Sequence, residues 1–293
     1  MILDPTWLAR LAPLELRARV RTEGAAAGRH AGLRRGLSGE FIGQRPYAVG
    51  DEWRRIDWKA YARTDRWTVR EARMESPLSS TLFLDVSRSM AFSAEGRLPK
   101  IRYAALLLSL LAAVLVRRQE GCGLGLVNDH VVKHVPSRTG AEALARLMSV
   151  LEGASAAGAT DIGRALDEAR PALARRGVVV VASDFLQPLE GWLPSFRRLS
   201  AAGHDVIAFQ VLDPVELSLA ISGSRRFEDL ETGGGMTADP EIVGARYRAL
   251  MAERQRRLTR SLTGMGVEPA LFETDEPIDV ALALFLRRRM ERL

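Results

Sequence analysis

Five oxygen-bearing side chains stand in this chain at positions that suit a divalent cation. Asp85, Ser87 and Ser89 form Asp-Val-Ser-Arg-Ser directly after the apolar run Thr81-Leu82-Phe83-Leu84, and Thr160 and Asp184 follow farther along. A short apolar run ending at a carboxylate reads as a buried parallel strand, and ligands of open α/β sheets collect where such strands end. Three hydroxyls and two carboxylates are hard donors suited to Mg²⁺, and also to Mn²⁺ or Ca²⁺, whereas zinc wants histidines and thiolates. With so few acids around it, an ion held there keeps net positive charge and would take a further carboxylate from another molecule. These residue types also serve as turn and cap residues, so the metal reading rests on their number and order.

Other chemistries find less support. An aspartyl nucleophile at Asp85 beside Mg²⁺, making the chain a phosphohydrolase, is the enzymatic alternative, but two places on stands Ser87 rather than a second acid. No Gly-x-Ser-x-Gly elbow accompanies a base, and there is no Gly-x4-Gly-Lys-Ser/Thr loop. The histidines His30, His130, His134 and His204 form no His-Glu-x-x-His helix. Cys122 has no partner for a disulfide within the chain and reads as core, which fits a reducing compartment. The start Met1-Ile2-Leu3-Asp4-Pro5 lacks the features of a signal peptide, so the expected location is the cytoplasm.

At 293 residues the chain can bury one large core with an appendage, and 47% hydrophobic with 27% charged residues is ordinary for a globular protein. The net charge of +6 lies mostly near the N-terminus, where residues 1–75 hold fifteen basic and ten acidic side chains. A basic scaffold for nucleic acid or anionic surfaces is therefore a further alternative, although arginines interleaved with acids make no continuous basic stripe. The most apolar stretch, 104–116, falls short of the roughly 20 residues of a membrane helix and reads as a buried one.

The elements that must position the five residues alternate between strand and helix from Ser80 onward, the pattern of a mostly parallel sheet with helices on both faces. Strands are predicted over 81–86, 123–127, 131–135, 178–182, 206–211 and 268–272, the second and third as a hairpin turning at Asn128-Asp129. Helices are predicted over 98–118, 141–151, from Ile162 behind a capping Asp161, over 192–202 and 240–262, and from Ile278. A loop with Gly233-Gly234-Gly235 at its tip separates the fifth strand from the long helix. Residues 1–36 read as surface-lying and mobile, because Gly24-Ala25-Ala26-Ala27-Gly28 weakens any helix. Residues 41–75, where tryptophans alternate with arginine and aspartate, read as a polar-networked appendage with a strand near 67–71.

Taken together, Asp85-x-Ser87-x-Ser89, Gly158-Ala159-Thr160-Asp161-Ile162-Gly163 and Val180-Val181-Ala182-Ser183-Asp184 resemble the metal-ion-dependent adhesion site of a von Willebrand factor A domain. The resemblance implies that Ser87, Ser89 and Thr160 contact the ion and that Asp85 and Asp184 act directly or through water. A second resemblance covers nearly the whole chain. Arg45-Pro46-Tyr47-Ala48-Val49-Gly50-Asp51 through Ile56-Asp57-Trp58 to Arg63-Thr64 is similar to the signature of the bacterial family called domain of unknown function fifty-eight. Leu212-Asp213-Pro214-x-Glu216 and Phe227-x-Asp229-x-Glu231-Thr232-Gly233 fit it as well. It implies residues 1–77 as an N-terminal extension ahead of a von Willebrand factor A-like (Rossmann-like) α/β domain over 78–293. It also implies a MoxR-type AAA+ ATPase, or a client of one, as partner, and the missing enzyme motifs make a non-enzymatic role the expectation. Within the signature block, Asp51, Asp57 and Arg63 read as an internal clasp, with a partner-binding surface as the other use.

Overall fold

The computed structural model describes residues 3–17, 40–48, 56–73, 79–94, 96–173, 176–228 and 234–292. Residues 49–55 of the signature block, the glycine-rich run 24–28, His30 and the motif residues Asp229, Glu231, Thr232 and Gly233 lie outside them. The chain forms two compact units, Met1–Arg21 with Leu78–Leu293, and Thr22–Pro77.

The first segment departs from its expected surface position. Asp4 opens helix α1 (Pro5–Leu11) by accepting from the Thr6 N–H at 2.8 Å, and Pro5 sits where a helix needs no N–H. Leu3, Leu11, Leu14 and Leu16 are all buried in one cluster with Leu107 and Leu282. Burying a leucine contributes about 1.5–3 kcal/mol, which outweighs the weak helix propensity downstream. Main-chain carbonyls of this segment are also held, those of Leu11 and Ala12 by Arg117 and that of Arg17 by Arg289. The segment therefore folds with the larger unit, and the expected extension over 1–77 shortens to the second unit.

Within the second unit, strand β1 (Glu40–Pro46) precedes helix α2 (Trp58–Thr64) and pairs antiparallel with β2 (Thr68–Arg73), Pro46 opposite Thr68. Asp57 caps α2, accepting from the N–H groups of Lys59 and Ala60 at 3.1 Å. Tyr47, Trp58, Tyr61 and Trp67 pack together, Trp58 edge-on to Tyr61 and Trp67, and the tilted Tyr61 and Trp67 rings with centroids 4.9 Å apart.

In the larger unit the chain continues through β3 (Ser79–Asp85), α3 (Lys100–Arg117), β4 (Gly121–Val127), β5 (Val131–Arg138), α4 (Ala141–Glu152), α5 (Ile162–Ala169), β6 (Val178–Ser183), α6 (Leu189–Ala201), β7 (Asp205–Leu212), α7 (Pro214–Ser218), β8 (Arg225–Glu228), β9 (Gly235–Ala238), α8 (Pro240–Gly264), β10 (Glu268–Glu273) and α9 (Ile278–Arg292). The main sheet runs β10-β7-β6-β3-β4-β5, parallel throughout except for the β4–β5 hairpin, so β10 and β5 are its edges. Counted along the chain this is the doubly wound order 6-5-4-1-2-3, whose direction reverses between β3 and β6.

Alternation along the strands builds two cores. Leu82 and Leu84 of β3, with Val180 and Ala182 of β6, face the cluster that holds α3 and α9. Phe83, Val179 and Val181 face the opposite cluster with Ile162 and Leu166 of α5, Trp192 and Phe196 of α6 and Leu258 of α8. Central strands covered on both faces are apolar almost throughout, which is why β3 and β6 stand out in the sequence. Helix α3 is buried along nearly its whole length, and among the described residues no helix is long and apolar enough to cross a membrane. The loop expected between β7 and α8 instead contains α7 and the β8–β9 hairpin. Asp213 and Glu216 form a capping box that starts α7, with Pro214 at its first position.

Candidate metal centre

Strand β3 ends at Asp85, which is fully buried, and the chain turns at once. The Ser87 N–H donates to Asp85 Oδ1 at 2.9 Å, and Ser87 Oγ lies 3.2 Å from Ser89 Oγ. A single 3₁₀ turn over Arg88–Ala91 follows Ser87 and leads the chain away toward α3. The third hydroxyl belongs to another loop, which the main chain stitches to this turn. The Ala157 N–H donates to Val86 C=O at 2.7 Å and the Arg88 N–H to Gly158 C=O at 3.1 Å. Gly158 has φ +81°, and a Cβ there would stand 2.6 Å from Asn128 Nδ2, so the approach to Thr160 requires glycine. Asp161, next in line, caps α5 through the Arg164 N–H at 3.0 Å. Asp184 follows the end of β6, the parallel neighbour of β3. Asp85, Ser87 and Ser89 thus form one turn, Thr160 lies on the loop bonded to it, and Asp184 ends the adjoining strand at the reversal point.

The two carboxylates sit in different electrostatic surroundings. Burial, and next the charge of Asp184, push the Asp85 carboxyl up to about 7, against hydrogen bonds from Ser183 and Ser87. Ser183 Oγ donates to Asp85 Oδ2 at 2.7 Å and accepts the Phe185 N–H at 3.0 Å. Asp184 already has a cation, for the wholly buried Lys100 Nζ lies 2.8 Å from its Oδ2 and 2.7 Å from Glu216 Oε1. Burial pulls the Lys100 ammonium down, and the Asp184 and Glu216 charges more than restore it, holding it above the ordinary value. Burial raises Glu216, the Lys100 charge opposing it. Asp184 Oδ1 accepts the Leu186 N–H at 3.1 Å, and its main-chain carbonyl accepts Gln210 Nε2 at 3.0 Å. Both Asp184 carboxylate oxygens are thus engaged within the fold.

This donor set fits a hard divalent cation. Among the described residues no group of three or more His, Cys, Asp and Glu side chains is placed to hold a metal, so a site here must be built from hydroxyls. Ser87 and Ser89 bring theirs together above a buried carboxyl that gives up its charge near neutrality unless a cation offsets it.

Sequence reasoning missed the residues that support this edge. Lys100 lies within the predicted helix 98–118 with nothing to mark it, and Ser183 stands only as the neighbour of Asp184. Gln187 and Arg254 carried no signal. The Gln187 side-chain amide contacts Thr160 Oγ1, with Nε2 as donor. Arg254 reaches across from α8, its Nη2 donating to the carbonyls of Phe185, at 2.5 Å, and Gln187, at 2.7 Å.

Fold and edge together define the class: a doubly wound α/β domain with a hydroxyl-rich edge at the point where strand order reverses. A model of the family described as "Protein of unknown function DUF58" matches residues 43–258. The uncharacterized protein Rv1480 of Mycobacterium tuberculosis is 32% identical over 298 residues, covering 98% of this chain and 91% of that protein. The uncharacterized protein Mb1516 of Mycobacterium bovis matches to the same extent, 32% identical with 98% and 91% covered. The chain belongs to the DUF58 family. Similar solved structures include the conserved hypothetical protein BatB from Bacteroides thetaiotaomicron, 16% identical with TM-score 0.48, covering 73% of this chain and 99% of that one. Another is an aerotolerance-related membrane protein from Bacteroides fragilis, 17% identical with TM-score 0.49, covering 74% and 100%. The mostly parallel sheet with helices on both faces is the one that the von Willebrand factor A resemblance in the sequence implies.

Proposed function

We infer that this chain is a non-enzymatic, cytoplasmic interaction module. Ser87, Ser89 and Thr160 hold a Mg²⁺ ion, with Asp85 and Asp184 behind them, and an acidic residue of a partner completes the site. The partner is a MoxR-type AAA+ ATPase or its client, engaged during assembly or remodelling of a complex. The supporting observation is that the serine hydroxyls of one turn sit beside the loop carrying Thr160, above buried carboxyls at the reversal point. The partner class rests on the sequence resemblance. When bound, the ion supplies positive charge and an open coordination position for a carboxylate. The chain's own residues do the remaining work: Ser183 and the Ser87 N–H orient Asp85, and Lys100 neutralises Asp184 so that the edge is not doubly anionic. Mn²⁺ and Ca²⁺ meet the same donors.

The phosphohydrolase alternative fares worse. A nucleophilic carboxylate oxygen must reach its substrate, whereas Asp85 is fully buried and each of its oxygens accepts a hydrogen bond from within the fold.

The test has two stages. The purified full chain should bind Mn²⁺, followed by electron paramagnetic resonance with Mg²⁺ as competitor, and Ser87→Ala with Ser89→Ala should weaken binding at least tenfold without altering melting in EDTA. Binding to a purified MoxR-type ATPase should then require Mg²⁺ and fail in EDTA. Equal affinity in Mg²⁺, in EDTA and in the double variant would refute the reading.

A further inference from the structure

Ser183 and Lys100 serve the two carboxylates, and among the described residues outside the five ligand candidates the side chain in hydrogen-bonding contact with a proposed hydroxyl ligand is the amide of Gln187, on Thr160 Oγ1. This inference rests on the metal reading above. A hydroxyl that gives a lone pair to a cation must point its own proton elsewhere, and a neighbouring acceptor that takes the proton makes the oxygen a better donor. An amide head offers either function at the same place. With Nε2 toward Thr160 it donates to the oxygen and competes for the lone pair; after a half-turn about the last side-chain bond, Oε1 takes the Thr160 proton instead.

The backbone below Gln187 is fixed from several sides. Its carbonyl and that of Phe185 both accept from Arg254 Nη2, Phe185 is held at φ +51°, and Pro188 leads directly into α6. The Asp184 carbonyl at the start of the same loop is held by Gln210. Such anchoring leaves the amide free to turn at its end while its position stays set. Phe185 itself is buried against Trp192 and Phe196, ring centroids 4.9 and 5.8 Å away, so the loop cannot drift without opening that core.

We propose that Gln187 is a positioning residue for the metal ligand Thr160. Its amide oxygen accepts a hydrogen bond from the Thr160 hydroxyl when that hydroxyl oxygen ligates a divalent cation, and Arg254 of α8 holds the loop that presents it. The reach of α8 into this loop also makes the long helix part of the metal centre's support.

The experiment measures Mn²⁺ affinity of the full chain by electron paramagnetic resonance for the unsubstituted protein, Gln187→Met and Gln187→Glu, each also in a Thr160→Val background. Gln187→Met offers neither donor nor acceptor and should weaken binding about 10- to 100-fold. Gln187→Glu keeps the acceptor and should bind at least as tightly as glutamine. In the Thr160→Val background Gln187→Met should have no further effect, because the proton it serves is gone. Melting in EDTA reports folding separately. If Gln187→Met binds as well as the unsubstituted chain, if Gln187→Glu falls as far as Gln187→Met, or if the Gln187→Met loss persists beside Thr160→Val, the assignment is overturned. Failure of the unsubstituted chain to bind Mn²⁺ overturns the metal reading itself, a different result from a bound ion indifferent to residue 187.

Discussion

Replacing Lys100 by methionine probes the electrostatics of the candidate edge with two readouts that move in opposite directions. Methionine keeps roughly the length of the side chain and removes its charge. Lys100 is wholly inaccessible and serves two carboxylates at 2.8 and 2.7 Å, whose side chains are 4% and 14% exposed. Removing one partner of a buried ion pair costs about 3–5 kcal/mol, because the remaining charge is stranded in low dielectric. Here two carboxylates are stranded and face each other, which argues for the upper part of that range. Water reaching the slightly exposed Glu216 pulls the other way, and the ammonium's position 5.8 Å from the Phe92 ring adds only about 0.5 kcal/mol. The expected loss is about 4 kcal/mol, read as a lower urea midpoint at unchanged slope, in EDTA at pH 8. The same substitution leaves Asp184 without its internal cation, so Mn²⁺ affinity should rise severalfold while the fold weakens. A stability loss below about 1 kcal/mol would show that the pair is not buried as described. A fall of Mn²⁺ affinity in step with stability would show that Lys100 supports the ligands only through folding.

Two further outcomes follow from sites away from this edge. Burial drives the Glu120 carboxyl from 4.5 up to about 7, and its Oε2 has no hydrogen-bond partner. A carboxyl raised on folding favours the native state fully below its unfolded value, and that advantage is lost as pH rises toward 7. Glu120→Gln should therefore leave stability unchanged near pH 4.5 and raise it by about 1 kcal/mol at pH 8, the full-burial figure of about 3 kcal/mol being reduced by solvent screening. Urea titrations at the two pH values decide it, and an equal gain at both contradicts the assignment. Gly163 lets α5 approach α6, since a Cβ there would stand 2.5 Å from the Gly191 carbonyl oxygen and 3.0 Å from Trp192 Cα. Gly163→Ala meets main chain that cannot rotate away and should cost about 1–3 kcal/mol in the same assay, whereas no loss means the helices are not so close.

What was legible in the sequence was what local periodicity encodes. The apolar runs of β3 and β6 place Asp85 and Asp184 at strand ends, and Asp161 announces the start of α5. Helix α7 was equally legible, because Asp213-Pro214-x-Glu216 spells out a capping box, but those residues served only as a family mark. The leucines at 3, 11, 14 and 16 were hidden by the glycine-rich run that follows them, although burial rather than propensity decided their place. The side chains that organise the candidate edge were not legible at all. Lys100 meets partners 84 and 116 residues away, and Arg254 meets carbonyls 67 and 69 residues away, pairings that no window of sequence contains.

The two outer strands of the main sheet bear on how any partner approaches. β5 carries Pro136 between the exposed Lys133 and Arg138, and β10 carries Pro269, whose neighbour Glu268 is buried and paired with Arg289. Proline has no N–H to give, and charge on an outer strand discourages another chain from lying alongside. Neither flank therefore presents the unbroken ladder of donors and acceptors on which strand addition depends. A proline on each outer strand interrupts lengthening of the sheet, and its end face, where the loops converge, offers an approach that does not require main-chain pairing.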